Sequence, residues 1–167
     1  MTRVSNPADV PHALPAWGTF AAAEPDLAAS AQRLLRRGDT DEGLLATVRG
    51  DALPRINPVI VGFVGERLVT VALDRSAKLR ELRDDGRFAL HAHQDPAVPN
   101  EVVIRGRAVE LRGDERAAAI AGWAFDVADG DGVFDLRPAQ VTLGERPDAD
   151  TWPPVYTSWR AGGRAST

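Results

Sequence analysis

Between Glu24 and Arg37 the apolar residues Leu27, Ala31, Leu34 and Leu35 recur at helical spacing. Pro25 suits the first turn and Gly38 the stop, so an amphipathic helix is predicted there. Beyond Gly38 the pattern becomes that of strands. Gly43–Arg49 (GLLATVR), Pro54–Val64 (PRINPVIVGFV) and Arg67–Leu73 (RLVTVAL) are rich in β-branched residues, and turns at Gly50–Asp51 and Gly65–Glu66 join them into a three-strand meander. Pro58 interrupts the middle strand. It has no N–H for a ladder, so its nitrogen must face an edge, a bulge or an opening in the sheet. Ser76–Asp85 (SAKLRELRDD) returns to helical spacing, with Ser76 as N-cap, Leu79 and Leu82 on one face and Gly86 as stop. Phe88–His93 and Glu101–Leu111 read as strands joined by an exposed loop holding Pro96 and Pro99. Asp114 is expected to cap a helix over Glu115–Val127 that packs Ile120, Ala124 and Val127, and Phe134–Gly144 to form the last strand.

Three successive strands joined by tight turns cannot be parallel, because a parallel pair needs a long crossover. The pattern therefore predicts a mostly antiparallel barrel or sandwich. At 167 residues the chain is expected to form one domain, 1–167, with a Pro-rich arm over 1–23 and a tail over 146–167. Trp152, Tyr156 and Trp159 in that tail suggest that it docks on something. Composition narrows the class. A hydrophobic share of 44% with 26% charged residues is that of an ordinary globular chain rather than a disordered or membrane protein. The net charge of −4 offers no basic footprint for nucleic acid or anionic membrane, leaving small molecules or proteins as the expected partners. With no cysteine there is no disulfide framework, thiolate nucleophile or Cys-based zinc site, and a cytoplasmic location fits. Pro7, Asp9, Pro11, His12 and Pro15 break any signal-peptide core. The strongest apolar run, Pro58–Val64, is too short to span a bilayer.

The charges on Arg75–Asp85 run against the helix dipole. Arg75, Lys78 and Arg80 crowd its N-terminus, while Glu81, Asp84 and Asp85 fill the C-terminal half. A phosphate held by the free N–H groups of Ala77 and Lys78, the cations and the Ser76 hydroxyl would remove the conflict. A solvated helix with Lys78–Glu81 and Arg80–Asp84 pairs is the alternative. Lys78 is the only lysine in the chain. His91 and His93 share one strand face but make at most half a metal site, so a polar lining or an exposed face is expected and no metal is assigned. The run DVADGDGVFD, with Asp126, Asp129, Asp131 and Asp135, misses the register of a calcium loop and reads as an acidic loop. Ser158 and Ser166 lack a nucleophile-elbow context.

The ordered segments LLATVR, PRINPVIVGFV, RLVTVALDRSAKLRELRDDGRFALHAH and EVVIRGRAVEL resemble the pyridoxamine 5'-phosphate oxidase-related, flavin-binding split-barrel proteins. The likeness runs from about Gly43 to Leu111, and more loosely from Trp17 to Gly144. It implies a mainly β fold, an antiparallel six-stranded split β-barrel of the Greek-key, FMN-binding type with short flanking helices. It further implies a homodimer with cofactor sites at the interface, each taking FMN or a deazaflavin (coenzyme F-420). The phosphate loop of such proteins falls on Arg75, Ser76, Ala77 and Lys78, with backbone contacts at Val71 and Ala72. The ring system falls on Arg55, Asn57, Pro58 and Val59. Ala77 stands where relatives usually carry arginine, and Asn57, Gly62 and Glu101 where the oxidase proper carries Arg, Lys and Gln. The resemblance thus implies a flavin- or deazaflavin-dependent oxidoreductase acting on a small conjugated substrate, other than a true pyridoxamine phosphate oxidase. The alternative is a non-catalytic carrier of flavin, haem or tetrapyrrole on the same barrel. No catalytic acid or base is assigned.

Overall fold

A computed structural model describes residues 13–163. His12, the first part of the expected arm, and Ser166 lie outside the described residues.

The chain enters through helix α1 (Trp17–Ala23), where the sequence had suggested only an irregular arm. Trp17 and Phe20, one turn apart, give this segment an apolar edge that it buries. Helix α2 (Pro25–Leu35) starts on Pro25 and buries Leu27, Ala28, Ala31 and Leu35. It stops two residues short of the predicted end, because Arg36–Arg37 forms a short strand, β1, that turns back at Gly38 onto β2 (Thr40–Val48). Gly38 has φ +60°, which favours glycine at that turn. Strands β3 (Pro54–Val64) and β4 (Arg67–Ala72) complete the predicted meander, followed by α3 (Ala77–Asp84), β5 (Arg87–Ala92) and β6 (Glu101–Glu110).

Helix α4 (Gly113–Ala121) is shorter than predicted. It closes at Gly122, leaving Ala124 and Val127 in the following loop, and Asp114 lies inside its first turn instead of capping it. At its end the chain runs tightly against β3, where a Cβ at Gly122 would lie 2.6 Å from a Val64 methyl. Strand β7 (Gly132–Glu145) begins two residues earlier than predicted, and Asp135 is fully buried within it rather than part of an acidic loop. The tail docks only in part: Val155–Arg160 forms β8, paired with the second half of β7, while Trp152 and Tyr156 stay exposed. Trp159 packs on Phe20 at a 4.9 Å ring separation.

Strands β2, β3, β4, β7, β6 and β5 close an antiparallel six-stranded barrel, the last joining back to β2. Its interior holds Leu45, Val61, Leu68, Leu90, Ile104, Phe134 and Leu136, with α1 and α2 covering one side. A smaller cluster of Val69, Leu111, Ala119 and Val133 lies under α4. The closure is uneven, and this feature positions the site. β3 pairs with β2 from Pro54 to Val61 but with β4 only from Val61 to Val64, so its Pro54–Ile60 half has an open edge. Pro58 lies on that half, in agreement with its missing N–H. Among the described residues no helix is long and apolar enough to cross a membrane.

Candidate functional site

The open half of β3 forms one wall of a cleft of about 390 Å³. Pro58, Val59 and Ile60 meet Val71 and Leu73 from the end of β4 there, and Lys78 projects from the first turn of α3. Glu42 of β2 and the loop after α4, through Trp123, Phe125 and Asp126, complete the lining. The volume falls in the usual range for small-molecule sites, roughly 300–1,000 Å³, and the mixture of apolar walls with few charges is also usual. A smaller cavity of about 170 Å³ adjoins it, sharing Ile60, Trp123 and Phe125.

The N-terminus of α3 is built as the sequence suggested. Ser76 is the N-cap, its hydroxyl accepting the Leu79 N–H at 3.1 Å. Among the described residues no acceptor meets the N–H of Ala77 or Lys78. Arg75 just before it has φ +61°, a left-handed conformation costly for a side chain of this kind. The loop is held by Asp74, whose carboxylate accepts the Arg75 N–H at 2.9 Å and whose own N–H donates to Asp131 at 2.8 Å. The Arg75 side chain points to solvent, 93% exposed. Lys78 is half-buried, and burial pulls its ammonium below the usual lysine range.

The structure therefore brings Pro58, Val59, Val71 and Lys78 together around one cleft. The other predicted residues sit around it differently. Ala72 is fully buried, pairs with Gly132 of β7 and does not line the cleft. The Asn57 Nδ2 is buried without a hydrogen-bond acceptor on the face of β3 opposite Pro58, outside the cleft lining. Arg55 is bound through Nε to Glu81 Oε1 at 2.9 Å. Glu81 is buried and also accepts the Thr47 hydroxyl at 2.6 Å. Burial pushes its carboxyl up, but the Thr47 and Arg55 hydrogen bonds and the nearby guanidinium charges outweigh this and hold it below the usual range. The alternative pairs expected on a solvated α3 do not form: Glu81 faces the barrel, and Arg80 donates to the Arg75 carbonyl at 3.2 Å.

Gly62, where the oxidase proper carries lysine, lies under the Trp123 indole; a Cβ there would be 2.8 Å from the ring. Glu101 is engaged elsewhere, accepting the Tyr156 hydroxyl at 2.8 Å and lying 3.4 Å from His91 Nε2. His93 lines a separate groove with Arg33, Arg36 and Arg37, so the two histidines do not share a site. Sequence reasoning missed Trp123, Phe125 and Asp126. All three fell inside the predicted helix Glu115–Val127, with Asp126 also read as part of an acidic loop, and only the early stop at Gly122 frees them to line the cleft.

No family model matches this sequence, and no curated protein does. Solved structures do show the fold. PhzG from Burkholderia lata 383, in complex with tetrahydrophenazine-1-carboxylic acid, superposes with a TM-score of 0.61 at 14% identity, covering 90% of each chain. A heme-binding protein from Mycobacterium smegmatis gives 0.58 at 22% identity over 77% of this chain and 57% of that one, so this chain spans little more than half of that protein. A member of the pyridoxinephosphate oxidase family from Clostridium acetobutylicum gives 0.53 at 11% identity over 86% of this chain and 95% of the other. The chain has the split-barrel fold that these proteins share.

Proposed function

We propose that the cleft binds a planar, phosphate-bearing redox cofactor, FMN or a deazaflavin, and that the protein is an oxidoreductase on a small conjugated substrate. One observation carries the reading. A half-buried lysine stands beside unsatisfied N–H groups at the start of α3, in a mainly apolar cleft along an open strand edge that also holds Glu42 and Asp126. That is an anion site joined to a shelf for a flat ring.

The residues fit such a group. Lys78 and the Ala77 and Lys78 N–H groups would hold its phosphate, and Pro58, Val59 and Ile60 would form the shelf for its ring. Trp123 and Phe125 would shield the ring from water. When bound, the cofactor would supply hydride transfer, and the protein binding, orientation and a dry surface. The proposal includes a second copy of the chain and a cytoplasmic setting in keeping with the cysteine-free sequence.

Absorbance titration with FMN and with the deazaflavin tests this. Lys78→Ala should weaken binding by about ten- to a hundredfold, since a hydrogen bond to a charged group is worth roughly 1.5–3 kcal/mol. An effect below about threefold would remove Lys78 from the site. Reduction of the bound cofactor by a nicotinamide, or oxidation of its reduced form by an acceptor, separates an enzyme from a carrier. The carrier reading draws support from Ala77, which removes a bidentate phosphate partner, and from the heme-binding neighbour. A haem spectrum with no flavin binding would favour it.

A further inference from the structure

The buried carboxylate of Glu81 lies one helical turn beyond Lys78 on α3, on the side facing the barrel. It accepts hydrogen bonds from two different strands, Thr47 of β2 at 2.6 Å and Arg55 of β3 at 2.9 Å. Thr47 and Arg55 are direct cross-strand partners, so a single carboxylate spans the β2–β3 pair. These strands are also two walls of the cleft, through Glu42 and through Pro58, Val59 and Ile60.

The rest of the helix is held less specifically. Leu79 and Leu82 are buried, but apolar contacts resist sliding weakly because they have no direction. Arg83 pairs with Glu110 of β6 at 2.7 Å, but that guanidinium is 43% exposed and sits at the far end of α3. A buried charge is a poor source of net stability, and its best-attested use is to fix one register among several. Here the register at stake is where the start of α3 stands relative to the open edge of β3.

We infer that Glu81 is the positioning residue of the anion site. By tying α3 to β2 and β3 it sets Lys78 and the free N–H groups at the phosphate end of the cleft. This inference rests on the reading of the cleft as a phosphate-bearing cofactor site. It assigns to this chain's own helix and strands the alignment that a guanidinium at position 77 would otherwise assist.

The test compares FMN with riboflavin, which has the ring but no phosphate, in equilibrium titrations of the full chain. The ratio of the two affinities isolates the anion site from ring binding. In the wild type FMN should bind at least about tenfold more tightly. Glu81→Gln keeps an acceptor for Thr47 but loses the charge opposite Arg55, and should cut that preference by about threefold or more. Glu81→Ala should nearly abolish it while leaving riboflavin affinity within about threefold. Thermal melts identify any variant that fails to fold; Thr47→Val, which removes one bond from the other side, then serves as the second variant and should also lower the ratio. If the variants are less stable yet keep the full preference, Glu81 is only structural and the inference fails, with the cofactor reading intact. If the wild type binds neither compound and no deazaflavin, or binds FMN and riboflavin equally, the cofactor reading fails and takes this inference with it; where the deazaflavin alone binds, its affinity must fall across the same variants or the inference fails.

Discussion

Lys78 carries opposite consequences for binding and for stability. Its burial lowers the lysine below its ordinary 10.5, so the unfolded chain binds this proton more strongly than the native one. Native stability should therefore suffer at neutral pH and recover as pH rises from the native value toward 10.5. Lys78→Met, measured without ligand, is expected to raise stability at pH 7 by about 0.3–1 kcal/mol by removing a cation from the wrong end of a helix dipole. The gain should vanish in melts near pH 10.5. Glu81 has the reverse sign. Its native pKa lies below 4.5, so its contribution is complete above that value and disappears as pH falls through the native one. Glu81→Gln should lose about 1.5–3 kcal/mol at pH 7 in urea titrations. The deficit should narrow steadily in acid; a constant deficit would show that the charge is not what matters. Lys78 was legible in the sequence because its signals are local: a serine cap, a reversed charge order and a stop glycine. The partner of Glu81 was not. On sequence spacing Glu81 could pair with Lys78, and only the burial of that helix face turns it toward Arg55, 26 residues away.

Elements with short-range punctuation were readable, and those defined by distant partners were not. The β2–β3–β4 meander follows from β-branched runs and turn residues, and the opening at Pro58 from one missing N–H. Strands β1 and β8 exist only because β2 and β7 offer them an edge, which no local pattern announces. The bulge between β6 and β7 is similar. Arg105 pairs with Gln140 and Gly106 with Pro138, so Ala139 is the extra residue and Pro138 sits beside the bulge, where a proline is tolerated. Gly106 is needed at this crossing, because a Cβ would lie 1.9 Å from the Arg137 carbonyl oxygen. Gly106→Ala should accordingly cost about 3 kcal/mol or more, at or above the upper end for overpacking, as judged by urea midpoints. Gly50→Ala is the control, with nothing within 4 Å of its Cβ, and should be nearly neutral. On the other face of the fold, Trp159→Ala should cost about 2–3 kcal/mol, less than a full core truncation because the indole is only partly buried against Phe20. A loss of that size, seen as a lower melting temperature, would establish that the docked tail belongs to the stable unit; no loss would make β8 an ornament of the barrel.

At the scale of the whole molecule, the uneven barrel leaves apolar surface beside its own cleft. Ile56 is 66% exposed and Leu53 57%, both at the open half of β3, and Leu73 at the end of β4 is 64% exposed. Ile56 and Pro58 alternate on one strand and point the same way, so whatever covers Ile56 also reaches the cleft wall that Pro58 forms. A second copy of the chain is the occupant we expect, since it would bury this strip and close the open side of the cleft at once. Light scattering on a size-exclusion column should then give about twice the mass of one chain at micromolar concentration. Ile56→Glu places a charge in that contact without touching the core, and should weaken the dimer at least tenfold, a loss of about 1.4 kcal/mol or more. Because the residue is exposed in the single chain, its melting temperature at dilutions where both proteins are monomeric should stay within the small range of ordinary surface changes, about 0.5 kcal/mol. The decisive comparison couples assembly to the site. If the partner completes the cleft, Ile56→Glu must weaken FMN binding although it does not line the cleft, and raising protein concentration must restore it. A dimer that dissociates with no change in FMN affinity would place the interface elsewhere and leave each cleft complete within one chain.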